Sequence, residues 1–274
     1  MKIAMLISGR ATRYDVCLLP ILKSSIHEID VFMAINDEFD TCEYYNNMKF
    51  LLKSWLKGCI IKKYIIPEDI KTLFNSTKSI STHGGQANLQ KIDDKYLPSN
   101  CLSMYYNDNL SFMQACEYAD TNKFEYDCYM KFRSDIIIDK IPDNLFLPND
   151  NTLYSAIPMC NFTSCGIYKK PIVCDIIAWG NRQSMSVYCN TYKYVLGKNL
   201  EYNGTYYIAG ECSLTDNIYE NSIVVAYHSI PYSLDKNRRM FDNIANDMRK
   251  KISNQSYSLK ITDSDSCQYI NSAP

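Results

Sequence analysis

The stretch Lys2-Ile3-Ala4-Met5-Leu6-Ile7-Ser8-Gly9-Arg10 decides how the rest of the chain is read. Residues 2–7 carry a continuous apolar run that stops at Ser8-Gly9. Residues 14–26 then place Tyr14, Val16, Cys17, Leu18, Ile21 and Ile26 near helical spacing. A short apolar run closed by a glycine turn and followed by that spacing reads as strand, turn, helix. The pattern then repeats. Ile29–Ile35 is a second buried-strand run, residues 42–56 are helix-like, and residues 59–66 form a third β-rich run ended by Pro67. Strands alternating with helices imply a parallel sheet covered on both faces. The expectation is a single α/β domain with a mostly parallel twisted central sheet, helices on both faces and a smaller, irregular C-terminal half.

Further along, periodicity fades over 67–100, where Ser, Thr, Asn and the pair Gly84-Gly85 suggest a long irregular excursion. Residues 101–121 return to helical spacing, and 126–138 read as a strand. The second half predicts a strand at 152–157, a hairpin at 160–169 and helices near 172–178 and 182–195. A strand at 204–208, a helix at 211–220 and a strand at 223–228 follow. From about 250 the chain turns polar and predicts a wrapping arm or frayed tail. Within one domain spanning 1–274, residues 1–140 are the expected ligand-binding half, 141–250 a second half and 251–274 an arm.

Composition limits the function classes. A 274-residue chain with 46% hydrophobic content buries roughly three quarters of the surface its unfolded form exposes, so it needs no disulfide staples. With 29 basic and 30 acidic residues the net charge is −1, which argues against nucleic acid as a partner. The 12 cysteines include no CxxC pair and no Cys/His cluster at zinc spacing, and read as reduced core residues. The opening apolar run is too short for a signal peptide, and no segment approaches a transmembrane length, so a cytoplasmic location is expected.

Two stretches could carry chemistry on residue type and place alone. Ser8-Gly9-Arg10-Ala11-Thr12-Arg13 lies at the carboxyl end of the first strand, where backbone N–H groups and a helix start favour anions. Arg10 and Arg13 add charge suited to a diphosphate. There is no GxGxxG and no GxxxxGK, so neither a dinucleotide fingerprint nor a P-loop is present. The second stretch is Tyr126-Asp127-Cys128-Tyr129-Met130-Lys131-Phe132-Arg133-Ser134-Asp135. Lys131, Arg133 and Asp135 alternate on one face of an otherwise apolar strand, where ionised groups are costly unless they meet a ligand or one another. Asp135 can hold a divalent cation bridging a nucleotide diphosphate, with Lys131 and Arg133 orienting it or neutralising phosphate.

The second stretch resembles the strand ending in a DxD or RxD tripeptide of GT-A-type nucleotide-sugar glycosyltransferases, here Arg133-Ser134-Asp135. The opening Ser8-Gly9-Arg10, the second strand Asp30–Asn36 and Trp179-Gly180-Asn181-Arg182-Gln183-Ser184-Met185 fit the same order. That order is similar to glycosyltransferases of large DNA viruses of algae and amoebae and of polysaccharide loci, over roughly residues 1–230.

The resemblance implies transfer of a sugar from a nucleotide diphosphate sugar, most often a UDP-sugar, to a glycan hydroxyl. It implies donor contacts from Ser8, Gly9, Arg10, Arg13, Asn36, Lys131, Arg133 and Asp135, with His83 of the 67–100 loop as a further donor contact. A divalent cation, Mn²⁺ or Mg²⁺, would sit on Asp135 and on His228, which follows the strand where such chains supply a histidine. The first acid of a full DxD is Arg133 here, which weakens the case for a metal. The tail's Asp263-Ser264-Asp265 has no strand before it and reads as a decoy.

Ala209-Gly210-Glu211-Cys212 is similar to the xED motif of inverting members and implies Glu211 as general base, with Asp216 as substitute. Trp179 and Arg182 are the expected acceptor contacts, Trp179 through ring stacking. The rival readings are a nucleotidyltransferase that makes nucleotide sugars and a non-catalytic glycan-binding module.

Overall fold

The computed structural model describes residues 1–9, 14–35, 42–61, 79–81, 89–92, 95–138, 140–143, 145, 151–157, 164–165, 170–197, 201–202, 205–207, 210–230, 232–234, 257–260 and 268–271. The main sheet has nine strands. In chain order they are β1 (Lys2–Gly9), β2 (Glu28–Ile35), β3 (Leu56–Ile61), β4 (Cys128–Phe132) and β5 (Thr152–Ala156). β6 (Ile177–Gly180), β7 (Val224–His228), β8 (Tyr257–Lys260) and β9 (Gln268–Asn271) complete it. Across the sheet the order is β9-β8-β7-β5-β6-β4-β1-β2-β3.

β1 lies between β2 and β4 and is parallel to both, and β3 is parallel to β2. β7 is parallel to β5. β6 is reversed and pairs antiparallel with both β4 and β5. Because β6 runs backwards, the residues leading into it arrive at the edge where β1, β2 and β4 end. Its own last residue, Gly180, is aligned with Tyr129 toward the opposite edge.

Ile3, Ala4, Met5, Leu6 and Ile7 are all fully buried, because β1 is covered on both faces and has no solvent side to alternate toward. Each large side chain among them contributes on the order of 1.5–3 kcal/mol of burial, set against the entropy of ordering it. On one face Leu6, Phe32, Tyr129 and Tyr227 pack under α3 (Ser99–Thr121), α4 (Arg182–Cys189), α5 (Thr191–Gly197) and α6 (Gly210–Glu220). On the other, Met5, Met33, Met130 and Trp179 pack with Ile21 and Leu22 of α1 (Leu19–Ser24) and with Met48 and Leu52 of α2 (Cys42–Leu52). A single π-turn, Tyr14–Leu18, leads into α1.

Local chemistry fixes several junctions. Gly9 closes β1 with φ +90°, a left-handed conformation that disfavours a side chain. The Asn181 side chain caps α4 by accepting from the Ser184 N–H at 2.8 Å. A Cβ at Gly180 just before it would stand 2.1 Å from Ser184 Oγ, so any side chain there would force Ser184 to move. Asp30, inside β2, is buried but accepts from Tyr126 Oη at 2.8 Å and has Lys57 at 3.7 Å and Lys2 at 3.9 Å.

The α/β architecture with a mostly parallel sheet and helices on both faces is as expected, but several elements are not. The helix expected near 172–178 is absent: this segment is an irregular approach with a bend at Asp175-Ile176, followed by β6 itself. A seven- or eight-residue apolar run has no periodicity that tells strand from helix, and Pro171 before it mimics a helix start. The strand expected over 126–138 ends at Phe132. A turn at Ser134-Asp135 and a short strand, Ile136–Ile137, follow, the latter paired with Ser233–Leu234 outside the main sheet. The helix expected over 182–195 is two, α4 and α5, with Asn190 between them.

The excursion at 67–100 contains short strands at Ser79–Ser81, Leu89–Ile92 and Lys95–Pro98. The hairpin expected at 160–169 pairs Ser164–Cys165 with Lys170–Pro171. The polar C-terminal region contributes β8 and β9 rather than a frayed end at those residues. Among the described residues no helix is long and apolar enough to cross a membrane.

Candidate active site

Lys131 of β4 points at α3 and is 0% exposed. Its ammonium donates to Asp108 Oδ1 of α3 and to Ser8 Oγ of β1, and the Ser8 hydroxyl in turn donates to the same Asp108 oxygen at 2.5 Å. Burial raises the Asp108 carboxyl, opposed by the charge and hydrogen bond of Lys131 and by the hydrogen bond from Ser8. Three chain segments far apart in sequence are thereby tied at one point beneath the end of β1. Lys131 and Ser8, expected as donor contacts, have their polar atoms committed to this buried group. Desolvating an ammonium and a carboxylate costs several kcal/mol per ion, so each holds the other in place.

Two residues on, the same strand reaches the sheet's edge. Arg133 is half-buried and grips Asp135 with both arms of a fork, Nε at 3.0 Å from Oδ1 and Nη2 at 2.8 Å from Oδ2. Burial alone would lower the Arg133 guanidinium, but Asp175 and Asp135 outweigh it and raise it above its ordinary value. Asp175 precedes β6, and because β6 is reversed it arrives at this edge. In the antiparallel register Ile177 faces Phe132 at the end of the ladder, and Asp175 just before it is near enough for its charge to act on Arg133.

Glu211 completes the group from the first turn of α6. That turn is anchored by Tyr105 Oη of α3, which donates to the Gly210 carbonyl, and by Thr215 Oγ1, which donates to the Glu211 carbonyl at 2.7 Å. Burial and the negative charge of Asp175 raise the Glu211 carboxyl to about 7, against the opposing pull of Arg133. A carboxyl with that affinity exchanges protons near neutral pH, as a general base requires. The edge thus brings together Arg133, Asp135 and Glu211, three residues expected from sequence. Asp175, the fourth, is missed by sequence reading, although it is a lone charge in the apolar run Val173–Trp179, the same signal that marks Lys131. Asp108 is missed because a mid-helix acid looks like part of a solvated face.

Other expected residues go elsewhere. Trp179 is 1% exposed and stacks on Tyr154 with centroids 5.5 Å apart, inside the core. Arg182 forms ion pairs with Asp120 at 2.6 Å and Glu125 at 3.2 Å, residues that precede β4. The reversal of β6 carries both toward the far edge of the sheet, so neither is an acceptor contact at this site. Asp216 is 0% exposed within α6, so its carboxyl is closed to solvent. Arg10, Arg13, Asn36, His83 and Asp263-Ser264-Asp265 lie outside the described residues.

His228 ends β7 and packs against the rings of Trp179 and Tyr154 at 5.2 and 5.6 Å, with the core on the face away from Lys131. Burial lowers it to about 4. A metal centre on Asp135 and His228 does not fit this arrangement. Both Asp135 oxygens are engaged by Arg133, and among the described residues no three His, Cys, Asp or Glu side chains converge to hold an ion.

The chain matches no protein-family profile and no curated protein. Among solved structures it is similar to a nucleoside-diphosphate-sugar pyrophosphorylase from Vibrio cholerae, with 10% identity, TM-score 0.40, and 89% of this chain and 99% of that one covered. It is also similar to a glycosyltransferase involved in glycosylating the major capsid of PBCV-1, with 12% identity, TM-score 0.35 and coverage of 90% and 92%. Mouse xyloside xylosyltransferase 1 shows 12% identity, TM-score 0.37 and coverage of 90% and 93%. Likenesses this weak decide nothing about chemistry, which rests on the site's own residues.

Proposed function

We propose that this chain is a GT-A-type glycosyltransferase that moves a sugar from a nucleotide diphosphate sugar, a UDP-sugar in the first instance, to a hydroxyl of a glycan, with inversion. The observation that carries the reading is the convergence of a cation, Arg133, and a carboxyl poised near neutrality, Glu211, at the edge where β1, β2 and β4 end. Open α/β sheets bind ligands at that edge. The sequence resemblance of Arg133-Ser134-Asp135 and Gly210-Glu211 to the donor and base motifs points the same way.

In this mechanism the donor diphosphate lies over the ends of β1 and β4. Arg133 meets its charge, together with Arg10 and Arg13, which follow β1 in sequence. Asn36, which follows β2, is a further donor contact. Residues 1–140 hold the donor and 141–250 the acceptor. Glu211 takes the proton from the acceptor hydroxyl as its oxygen bonds to the anomeric carbon. The anomeric carbon–oxygen bond breaks, and the diphosphate leaves with that electron pair. Arg133 is in place before the reaction and stabilises the charge that develops on the leaving group.

The test is a nucleotide-sugar panel with product NMR, followed by single-turnover rates and donor affinities for Glu211→Gln and Asp216→Asn. Glu211→Gln is expected to slow the chemical step by roughly 10²- to 10⁴-fold with donor binding nearly unchanged. A fully active Glu211→Gln removes the base. Formation of a nucleotide sugar from a nucleoside triphosphate and a sugar phosphate replaces the reading with nucleotidyl transfer.

A further inference from the structure

We infer that Asp175 is a positioning residue of this edge that acts through Glu211 rather than on substrate; the inference rests on the transfer reading of the site. Its basis is how tightly the segment before β6 is built into the first turn of α6. Thr215 Oγ1 accepts from the Val173 N–H at 3.0 Å and donates to the Glu211 carbonyl at 2.7 Å, so one buried hydroxyl joins the approach to Asp175 with the backbone of Glu211. Cys174 is held on both sides. Its N–H donates to Ser155 Oγ at 3.0 Å, and its carbonyl accepts from Tyr188 Oη at 3.1 Å. Asp175 is the next residue, so its Cα is fixed by the sheet on one side and by these bonds on the other.

The groups whose charge acts on Glu211 lie on three parts of the chain. Asp175 lies on the segment entering β6, Cys212 on its own helix, and Arg133 at the end of β4. Tyr232, beyond β7, also feels Glu211. Among the described residues the opposing cation is Arg133, and its fork is already occupied by Asp135. One guanidinium therefore faces three carboxyls, from Asp135, Asp175 and Glu211. Excess negative charge of that kind is relieved by keeping a proton on the most buried member. In this group Glu211 is the carboxyl whose proton affinity is raised, with burial the first cause and Asp175 the second.

The consequence for the reaction is a base that can both take up the acceptor's proton and release it to water near pH 7. Without Asp175, burial would still raise Glu211, but it would hold its proton less tightly and be a weaker base. The rate above the acid limb should therefore fall while the limb itself moves to lower pH.

The decisive experiment is ¹³C NMR titration of the side-chain carboxyls in the full chain, with Glu211 assigned by its loss in Glu211→Gln. Asp175→Asn should move the Glu211 midpoint down from about 7 by about one pH unit or more. Asp175→Glu, which keeps the charge, should hold it near the wild-type value. Asp175→Ser serves if the Asn variant does not fold. A Glu211 midpoint unchanged in a folded Asp175→Asn or Asp175→Ser protein overturns the inference. The titration needs no turnover, so it separates this inference from the transfer reading. A shifted midpoint in a chain that transfers no sugar keeps the pair and removes the function.

Discussion

Lys131 and Arg133 stand two residues apart along one strand and have different jobs, and depth is what separates them. Lys131 is fully buried, and its ammonium is held by Asp108 and Ser8. Arg133, just past the end of β4, is half-buried, with Asp135 in its fork and Asp175 and Glu211 within electrostatic range. A buried charge cannot exchange its partner for a ligand without leaving the partner uncompensated. A charge at the rim can, because water reaches it and can solvate the partner it leaves. The same type of signal in the sequence, a cation in an apolar strand, thus marks buried scaffold in one case and the rim of the candidate site in the other.

The comparison breaks most visibly on stability. Lys131→Met leaves Asp108 buried and unpaired, and should cost about 3–5 kcal/mol in urea unfolding. Adding Asp108→Leu should recover most of that loss, since the double variant leaves no buried charge. Arg133→Met should cost clearly less than Lys131→Met, because water reaches the rim and helps solvate the carboxylate left behind. Equal losses for Lys131→Met and Arg133→Met would show that depth does not divide the two.

A smaller effect sharpens the rim side. Glu211 is raised from 4.5 to about 7 in the folded chain. Between those values the folded state binds more protons than the unfolded state, so this group makes stability fall as pH rises from about 4.5 through 7. His228, lowered from 6.5 to about 4, acts in the opposite direction between those values. The difference between wild type and Glu211→Gln isolates the first effect. The Gln variant should become relatively more stable as pH rises through that window, by on the order of 2 kcal/mol. Parallel stability curves would mean that Glu211 titrates normally.

The first half of the fold was legible in sequence because its strands are buried on both faces and read as near-continuous apolar runs, as Ile3–Ile7 and Val31–Ile35 do. The direction of β6 was not. A strand and a helix of that length share one apolar pattern, and direction depends on pairing with β4 and β5, which no local signal records. The expected helix over 172–178 hid Asp175, while Trp179 and Arg182 were named from the resemblance alone, which carries no information about where the strand ends. Glu211 was found because a glycine and an acid at a helix start are local features. Asp108 was not, because its partner Lys131 is 23 residues away and only packing brings the two together.

The most direct test of the account is the affinity of UDP for the folded Arg133→Ala protein, measured by calorimetry at neutral pH beside wild type. If the edge of β1 and β4 holds the diphosphate, the variant should bind about tenfold more weakly or worse, ~1.4 kcal/mol or more, with its melting temperature nearly unchanged. Undiminished UDP affinity in folded Arg133→Ala would contradict the account and put the nucleotide elsewhere on the molecule.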